Sequence, residues 1–304
     1  MTQDTDSPRG FAFALAAYLL WGFLPLYMKA LSHMPAPEVI AHRVMWSVPI
    51  AGLVLIWLGR TGDLVTALRT PRMLGMGAIL SAVISLNWGI YVWAIQNGYA
   101  LEAALGYYIN PLATVLLGAL LLGETLNRAQ YLALALAALA VAVLTWEAGK
   151  LPLLALGMMG TWVCYAYAKK RLPIGANQGF MLEVLLLLPF ALGYAIWLKI
   201  TGQGHFTAGN GRDTALLAAA GLVTAVPLIL YANGAKLLRL STIGIMQYIS
   251  PTLIMLIAVF VFNEPFGTAR MIAFPLIWAA LAIYSWGMLR GRSRTAKGGA
   301  RAPS

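Results

Sequence analysis

From Phe11 to Leu289 the chain alternates between long apolar runs and short breaks made of charged residues, Pro or Gly. A helix needs about 20 predominantly apolar residues to cross the roughly 30 Å hydrocarbon core of a bilayer. Cutting the chain at its breaks with that length predicts ten helical spans, over 11–31, 37–58, 73–95, 101–122, 129–146, 151–170, 177–198, 214–236, 241–262 and 269–289. The runs are continuous and do not alternate polar with apolar residues. Membrane-spanning strands do alternate, and only helices and closed barrels satisfy their backbone in lipid, so the pattern selects helices. The expected fold is an all-α polytopic membrane protein.

Composition agrees with this and narrows it. The 304 residues are 61% hydrophobic and 10% charged, against about 45–50% apolar and about 25% charged in soluble domains. The formal charge of +11 would suggest a nucleic-acid partner in a soluble protein, but here it reads as topology. With the N-terminus, the even-numbered loops and the C-terminus on one face, that face holds Arg9, Arg60, Arg69, Arg72, Arg128, Lys169, Lys170, Arg171, Lys236, Arg239 and the five cations of the 290–304 tail. The opposite face holds Lys29, Lys150, Lys199, Arg212 and Arg270, and Arg43 lies inside a span. Both termini are therefore expected in the cytoplasm. The tail is basic and rich in small residues, and is read as a disordered topology determinant. The one cysteine, Cys164, excludes an internal disulfide framework.

The two halves of the chain repeat each other. At an offset of 140 residues Tyr91 falls on Tyr231, Tyr108 on Tyr248, Ile109 on Ile249, Pro111 on Pro251, Glu124 on Glu264 and Trp146 on Trp286. At 141, Trp21 falls on Trp162, Lys29 on Lys170 and Leu31 on Leu172. The expected organisation is a tail over 1–10, a five-helix repeat over 11–146, a second over 151–289, and the tail over 290–304. Five spans per half is an odd number, so the second copy enters the membrane from the other side. Such a 5+5 inverted repeat is the architecture of alternating-access carriers, with the site near the midplane. Pro111 and Pro251, deep in matching spans, are read either as hinges or as structural kinks.

A charge within a span costs about 2.5–3.5 kcal/mol at the helix centre, so few survive without a reason. The aspartates Asp4, Asp6, Asp63 and Asp213 fall in termini or loops, and Glu38, Glu102, Glu124, Glu147 and Glu264 at helix ends. Glu183 is the acidic group placed within the bilayer, and Arg43 is its natural counter-charge. As a cavity-lining pair they would bind a zwitterionic substrate or relay a proton; as a salt bridge they would hold the second and seventh spans together. Glu38, His42 and Trp46 share one helical stripe, Arg43 and Ser47 another. His42 titrates nearest neutrality and is, with Glu183, a coupling candidate; the alternative is a satisfied interfacial histidine. Polar and aromatic residues recur at helical spacing in four spans: Asn87 with Tyr91, Tyr107 with Asn110 and Thr114, Thr224 with Pro227 and Tyr231, and Gln247 with Ser250. With Tyr108, Tyr248, Trp21 and Trp162 they could form an aromatic pocket for an amphipathic molecule; the alternative is helix-to-helix ties and an interfacial aromatic belt.

An enzyme finds little support. His33, His42 and His205 lie in separate segments without metal-ligand spacing, Cys164 has no obvious base beside it, and no phosphate-binding loop of the Walker type is present. A membrane enzyme using Glu183 and His42, and a structural or sensory membrane protein, are the alternatives of other classes. No cofactor and no metal are expected.

The stretches from Trp21 to Leu31, Glu38 to Ser47, Asn87 to Gly98, Leu105 to Gly118, Gly221 to Tyr231 and Gln247 to Leu253 resemble the RarD-type branch of the drug/metabolite transporter superfamily, which is built from two EamA-type repeats of five helices. The resemblance covers nearly the whole chain apart from its termini. It implies a multi-pass carrier of the bacterial inner membrane that exports small metabolites, amino acids first and amphenicol-type drugs as the alternative. Its energy source would be proton-linked antiport or none. The partners expected are a small-molecule substrate, the lipid bilayer and a proton gradient, with no nucleic acid, acting on a monomer.

Overall fold

The computed structural model describes residues 7–122, 126–207, 209–235, 237–238 and 240–298. Asp4, Asp6, Glu124, Lys236, Arg239 and Arg301 lie outside the described residues. Twelve helices follow one another, with no strand among the described residues: α1 (Pro8–Ala30), α2 (Ala36–Trp57), α3 (Thr61–Arg69), α4 (Pro71–Gln96), α5 (Ala100–Leu122), α6 (Arg128–Ala148), α7 (Leu153–Arg171), α8 (Ala176–Thr201), α9 (Gly211–Ala235), α10 (Leu240–Met246), α11 (Ile249–Phe260) and α12 (Thr268–Gly298). Seven of them, α1, α2, α4, α6, α8, α9 and α12, are long and apolar enough to cross a membrane. The chain is a multi-pass helical membrane protein. Its outward-facing side chains agree: Trp57, Trp146, Phe190, Ile200 and Phe260 are almost wholly exposed, an arrangement water would penalise and lipid does not.

The first eight predicted spans match α1, α2 and α4 to α9 to within three residues at each end. Local signals set several of these ends. α6 opens on a capping box in which Asn127 accepts from the Gln130 N–H at 2.9 Å and Gln130 accepts from the Asn127 N–H at 2.8 Å. α8 closes on Gly202 in the left-handed region, at φ 69°.

Three expectations need correction. Asp63 does not sit in a loop but in the first turn of α3, a short helix between the second and third spans whose Leu64 and Ala67 are buried. Its acidic start and Arg69 in the last turn both suit the helix dipole. The ninth span is broken into α10 and α11 at Gln247 and Tyr248. Pro251 clashes with the carbonyl four residues earlier, which is that of Gln247. The stretch before the break, Leu240-Ser-Thr-Ile-Gly-Ile245, is also a poor helix former beside Ala100-Leu-Glu-Ala-Ala-Leu105 of the matching α5, which continues through Pro111. Pro251 thus starts a helix where Pro111 sits inside one, so the two are not equivalent hinges. Finally, the tail expected to be disordered from residue 290 is helical to Gly298. Arg, Lys and Ala propagate a helix already nucleated, and cations at its C-terminal end are favourable.

Packing is dominated by α1 with α9 and α11, α2 with α8 and α9, α4 with α7 and α8, α5 with α7 and α11, and α6 with α12. α2 and α8 are antiparallel: Met181 near the start of α8 lies against Gly52 in the latter half of α2, and Glu38 near the start of α2 meets His205 just beyond α8.

Candidate functional site

Arg43, in the third turn of α2, is 5% exposed. Its Nε donates to the Thr224 hydroxyl of α9 at 3.0 Å. Thr224 in turn donates to the carbonyl of Ala220, at 2.8 Å on its own helix, which leaves its oxygen free to accept from Arg43. The guanidinium lies 4.6 Å from the centre of the Trp88 ring of α4, a cation–π contact worth about 2 kcal/mol when desolvated. Tyr27, Tyr91 and Tyr107 are ionisable groups around it, and the rings of Tyr91 and Tyr107 are 5.9 Å apart. Three buried polar atoms in this region have no partner: Arg43 Nη1, the Ser47 hydroxyl one turn along the same stripe, and the Tyr91 hydroxyl. The site is closed in this conformation, for Tyr91, Thr224 and Ser47 are as buried as Arg43.

The pairing of Arg43 with Glu183 does not occur. Glu183 is bound by the ammonium of Lys169 and, at 3.0 Å, by the Tyr165 hydroxyl, both from α7. Depth is the reason. Each residue lies seven positions into its helix, but α2 and α8 are antiparallel, so each stands about 10 Å from an opposite end at 1.5 Å per residue. In helices of 22 and 26 residues that leaves them on opposite sides of the middle. Lys169, counted above only as a topology charge, sits at the end of α7 nearest the start of α8 and takes the carboxylate instead.

The remaining candidates divide into separate clusters. Trp21 and Tyr231 meet each other at 5.6 Å and Tyr18 at 5.8 and 5.9 Å, joining α1 to α9. Trp162 packs at 5.9 Å against Tyr165, beside the Glu183 pair. Asn87 does not offer its amide nitrogen to a pocket; it donates to the Met158 carbonyl at 3.0 Å and the Thr161 hydroxyl at 2.8 Å, tying α4 to α7. Tyr108 is likewise locked, its hydroxyl 2.7 Å from that of Thr252 and its ring 5.9 Å from Phe274. Gln247 and Tyr248 lie at the break between α10 and α11, and the Tyr248 hydroxyl, like Asn110 Oδ1, is buried without a partner. His42 accepts from Trp46 Nε1 at 3.3 Å and lies 4.8 Å from the Phe206 ring, which is the satisfied-histidine arrangement.

Two features escaped the sequence reading. Trp88 stands at helical spacing from Tyr91, a signal that was available. The other is long-range and had none: the fully buried Glu38 accepts from the His205 N–H and meets His205 Nδ1, both at 2.7 Å, while His33 meets Asp213 at 3.1 Å and its ring lies 5.7 Å from that of His205. Together these contacts seat the segment between α8 and α9 over the start of α2, with Phe206 against His42. An open cavity of about 440 Å³ lies elsewhere, between the ends of α5, α6 and α12, and is lined by Trp93, Tyr99, Glu102, Lys150 and Arg270 among others. It contains none of the residues singled out as binding candidates.

Residues 8–146 match the EamA-like transporter family. Protein RarD of Streptomyces exfoliatus is 39% identical over 97% of this chain and 94% of its own length. Protein RarD of Escherichia coli K12 is 38% identical over 95% and 98%. A known crystal structure covering 92% of this chain and 98% of its own superposes with a TM-score of 0.58 at 21% identity, a likeness of fold. On full-length identity of this order, joined to a helical membrane fold with a buried polar cluster, the chain belongs to the RarD-type branch of the drug/metabolite transporter superfamily and is a membrane transporter.

Proposed function

We propose that the protein is a ten-span carrier of the bacterial inner membrane, a 5+5 inverted repeat with both termini in the cytoplasm, and that it exports small amphipathic metabolites, amino acids first, by alternating access. It acts as a transporter and not as an enzyme, and as a monomer. The observation that carries this reading is the pattern of helix packing. Exchanging the halves sends α1, α2, α4, α5 and α6 to α7, α8, α9, the α10–α11 pair and α12. Under that exchange α1 with α9 becomes α7 with α4, α1 with α11 becomes α7 with α5, α2 with α9 becomes α8 with α4, and the other principal pairs map onto themselves. Two interlocked, interchangeable halves can rock about a shared site, which is what alternating access requires. Arg43, Trp88, Tyr91, Tyr107 and Thr224 form that site, with Trp21, Tyr231, Gln247 and Tyr248 as its extension toward α10. Of the coupling candidates, Glu183 with Lys169 is carried forward, because His42 is occupied by Trp46.

Transport into proteoliposomes tests the function. Labelled amino acids and chloramphenicol are offered with and without a pH gradient to wild type and Glu183→Gln. Movement of an amino acid is expected; movement of chloramphenicol alone would replace the cargo assignment, and no movement would remove the carrier reading. Gradient-independent, undiminished transport by Glu183→Gln would end the coupling role. Topology is tested by labelling single cysteines in a Cys164→Ser background, Cys164 being the chain's one cysteine. Ser32→Cys and Leu151→Cys should react from outside, Thr61→Cys and Pro173→Cys from inside.

A further inference from the structure

Arg43 is a cation with no anion. Among the described residues the buried carboxylates already have partners: Glu183 holds Lys169, Glu38 holds His205, Asp213 holds His33, and Glu264 accepts from the N–H groups of Ala100 and Leu101. No carboxylate of the described residues faces Arg43, whose neighbours are Thr224, Trp88 and tyrosines. An ion buried without its counter-ion destabilises a fold, and an intramembrane charge of that kind marks a site by default. Its Nη1 is unpartnered, and so are the Ser47 and Tyr91 hydroxyls close by. These atoms are 0–5% exposed residues' own donors, so water does not satisfy them from outside.

We propose that Arg43 binds the carboxylate of the cargo. The inference rests on the carrier reading of the same site and names its substrate class: monoanionic carboxylates with an apolar or aromatic body. Nε is committed to Thr224, which fixes the plane of the guanidinium, and Trp88 covers one face. An anion therefore approaches at the Nη end, where a planar carboxylate is matched in geometry. The unpartnered hydroxyls of Ser47 and Tyr91 supply further donors. One positive charge balances a carboxylate and leaves a phosphate monoester with excess negative charge buried. The ring of Tyr107, against Tyr91, and that of Trp88 suit an apolar body. Among the described residues no carboxylate lines this site to receive an ammonium group, so the carboxylate and not the amine is the recognised end. A cargo lacking the amine fits at least as well as an amino acid.

The test compares isosteric probes on the purified full-length protein by calorimetry and by competition for transport in proteoliposomes: phenylalanine, 3-phenylpropionate, their two primary amides, and inorganic phosphate. Wild type is expected to bind both carboxylates at least tenfold more tightly than the amides and phosphate. Arg43→Gln is expected to bring carboxylate and amide within twofold, and Arg43→Lys, which keeps the charge and loses the fork, to weaken carboxylate binding at least tenfold. Thermal unfolding separates this from a structural role: bound carboxylate is expected to raise the melting temperature of wild type, and the amides to leave it unchanged, whereas Arg43→Gln shows no difference between acid and amide. Equal binding of acid and amide by wild type, or a carboxylate preference that survives in Arg43→Gln, overturns the proposal. Transport that is indifferent to the carboxylate would do so while leaving the carrier intact, whereas no transport of any probe or amino acid would take the carrier reading with it.

Discussion

The crossing of α2 and α9 beside Arg43 is closed by one missing methyl group. A Cβ placed on Gly221 would come within 2.2 Å of the Trp46 carbonyl carbon and 2.3 Å of its oxygen, backbone atoms that no rotamer change can move, where ordinary contact begins at 3.4 Å. Gly221→Ala therefore forces the two helices apart by about 1.2 Å, the difference between the first and last of those distances. Overpacking of this kind costs about 1–3 kcal/mol, offset by up to about 1 kcal/mol because Ala favours a helix over Gly. Thr224 lies one turn from Gly221 on α9, so the same movement stretches the 3.0 Å bond to Arg43 beyond hydrogen-bond range. Gly52 of α2 is the control: its added Cβ would meet only the flexible end of Met181 at 3.7 Å, so Gly52→Ala gains the propensity without the collision. Thermal unfolding in detergent should place Gly221→Ala below wild type and Gly52→Ala at or above it, and Gly221→Ala alone should lose transport. If the two variants melt together, α2 and α9 do not cross in backbone contact and the geometry assigned to Arg43 is wrong.

Further outcomes follow from the ion pair and from the segment between α11 and α12. Lys169→Met leaves the carboxylate of Glu183 buried and unpaired and is expected to destabilise by about 3–5 kcal/mol. Glu183→Gln costs less, because Lys169, 23% exposed, can turn its ammonium to the surface. The double variant should recover most of the loss in thermal unfolding, and strictly additive effects would refute the pair. Glu264, between α11 and α12, accepts from the N–H groups of Ala100 and Leu101 at 2.7 and 2.9 Å, and so caps α5. Glu264→Ala should cost about 0.5–2 kcal/mol, seen as faster hydrogen exchange at residues 100–103. Burial outweighs those two donors and holds the Glu264 carboxyl above its ordinary value. The folded protein then keeps the proton where the unfolded chain has released it, so this group's contribution falls as pH rises from the ordinary carboxyl range through the raised value. Glu264→Gln should flatten stability across that window, and an unchanged slope would count against the assignment.

The positions of the first eight expected helices were legible because lipid imposes them locally: a span must be long, apolar and internally bonded, whatever its neighbours. The same locality let the stripes of α2 be read correctly, with Glu38, His42 and Trp46 on one face and Arg43 and Ser47 on another. The break at Gln247 was present in the chain as Pro251 and a run of weak helix formers, yet length alone argued for one unbroken span.

Which polar groups meet was a different kind of question. Two opposite charges within spans looked like a pair, yet at an offset of 140 Arg43 falls on Glu183. Because α2 and α8 are antiparallel, two residues equally far into these helices stand at mirrored depths, and that keeps the pair apart. Asn87 and Tyr108 show the same limit: their types and spacing fit a pocket, and only the third dimension supplies Met158, Thr161 and Thr252 to occupy them. The amino-acid sequence by itself determined that this chain is a helical membrane protein, where most of its helices lie and which side chains are too polar to be there without cause. The tertiary structure decided which of those side chains are satisfied by a neighbour. Partnership depends on distances across helices far apart in sequence, and by that measure Arg43 has Thr224 and Trp88 beside it but no anion among the described residues.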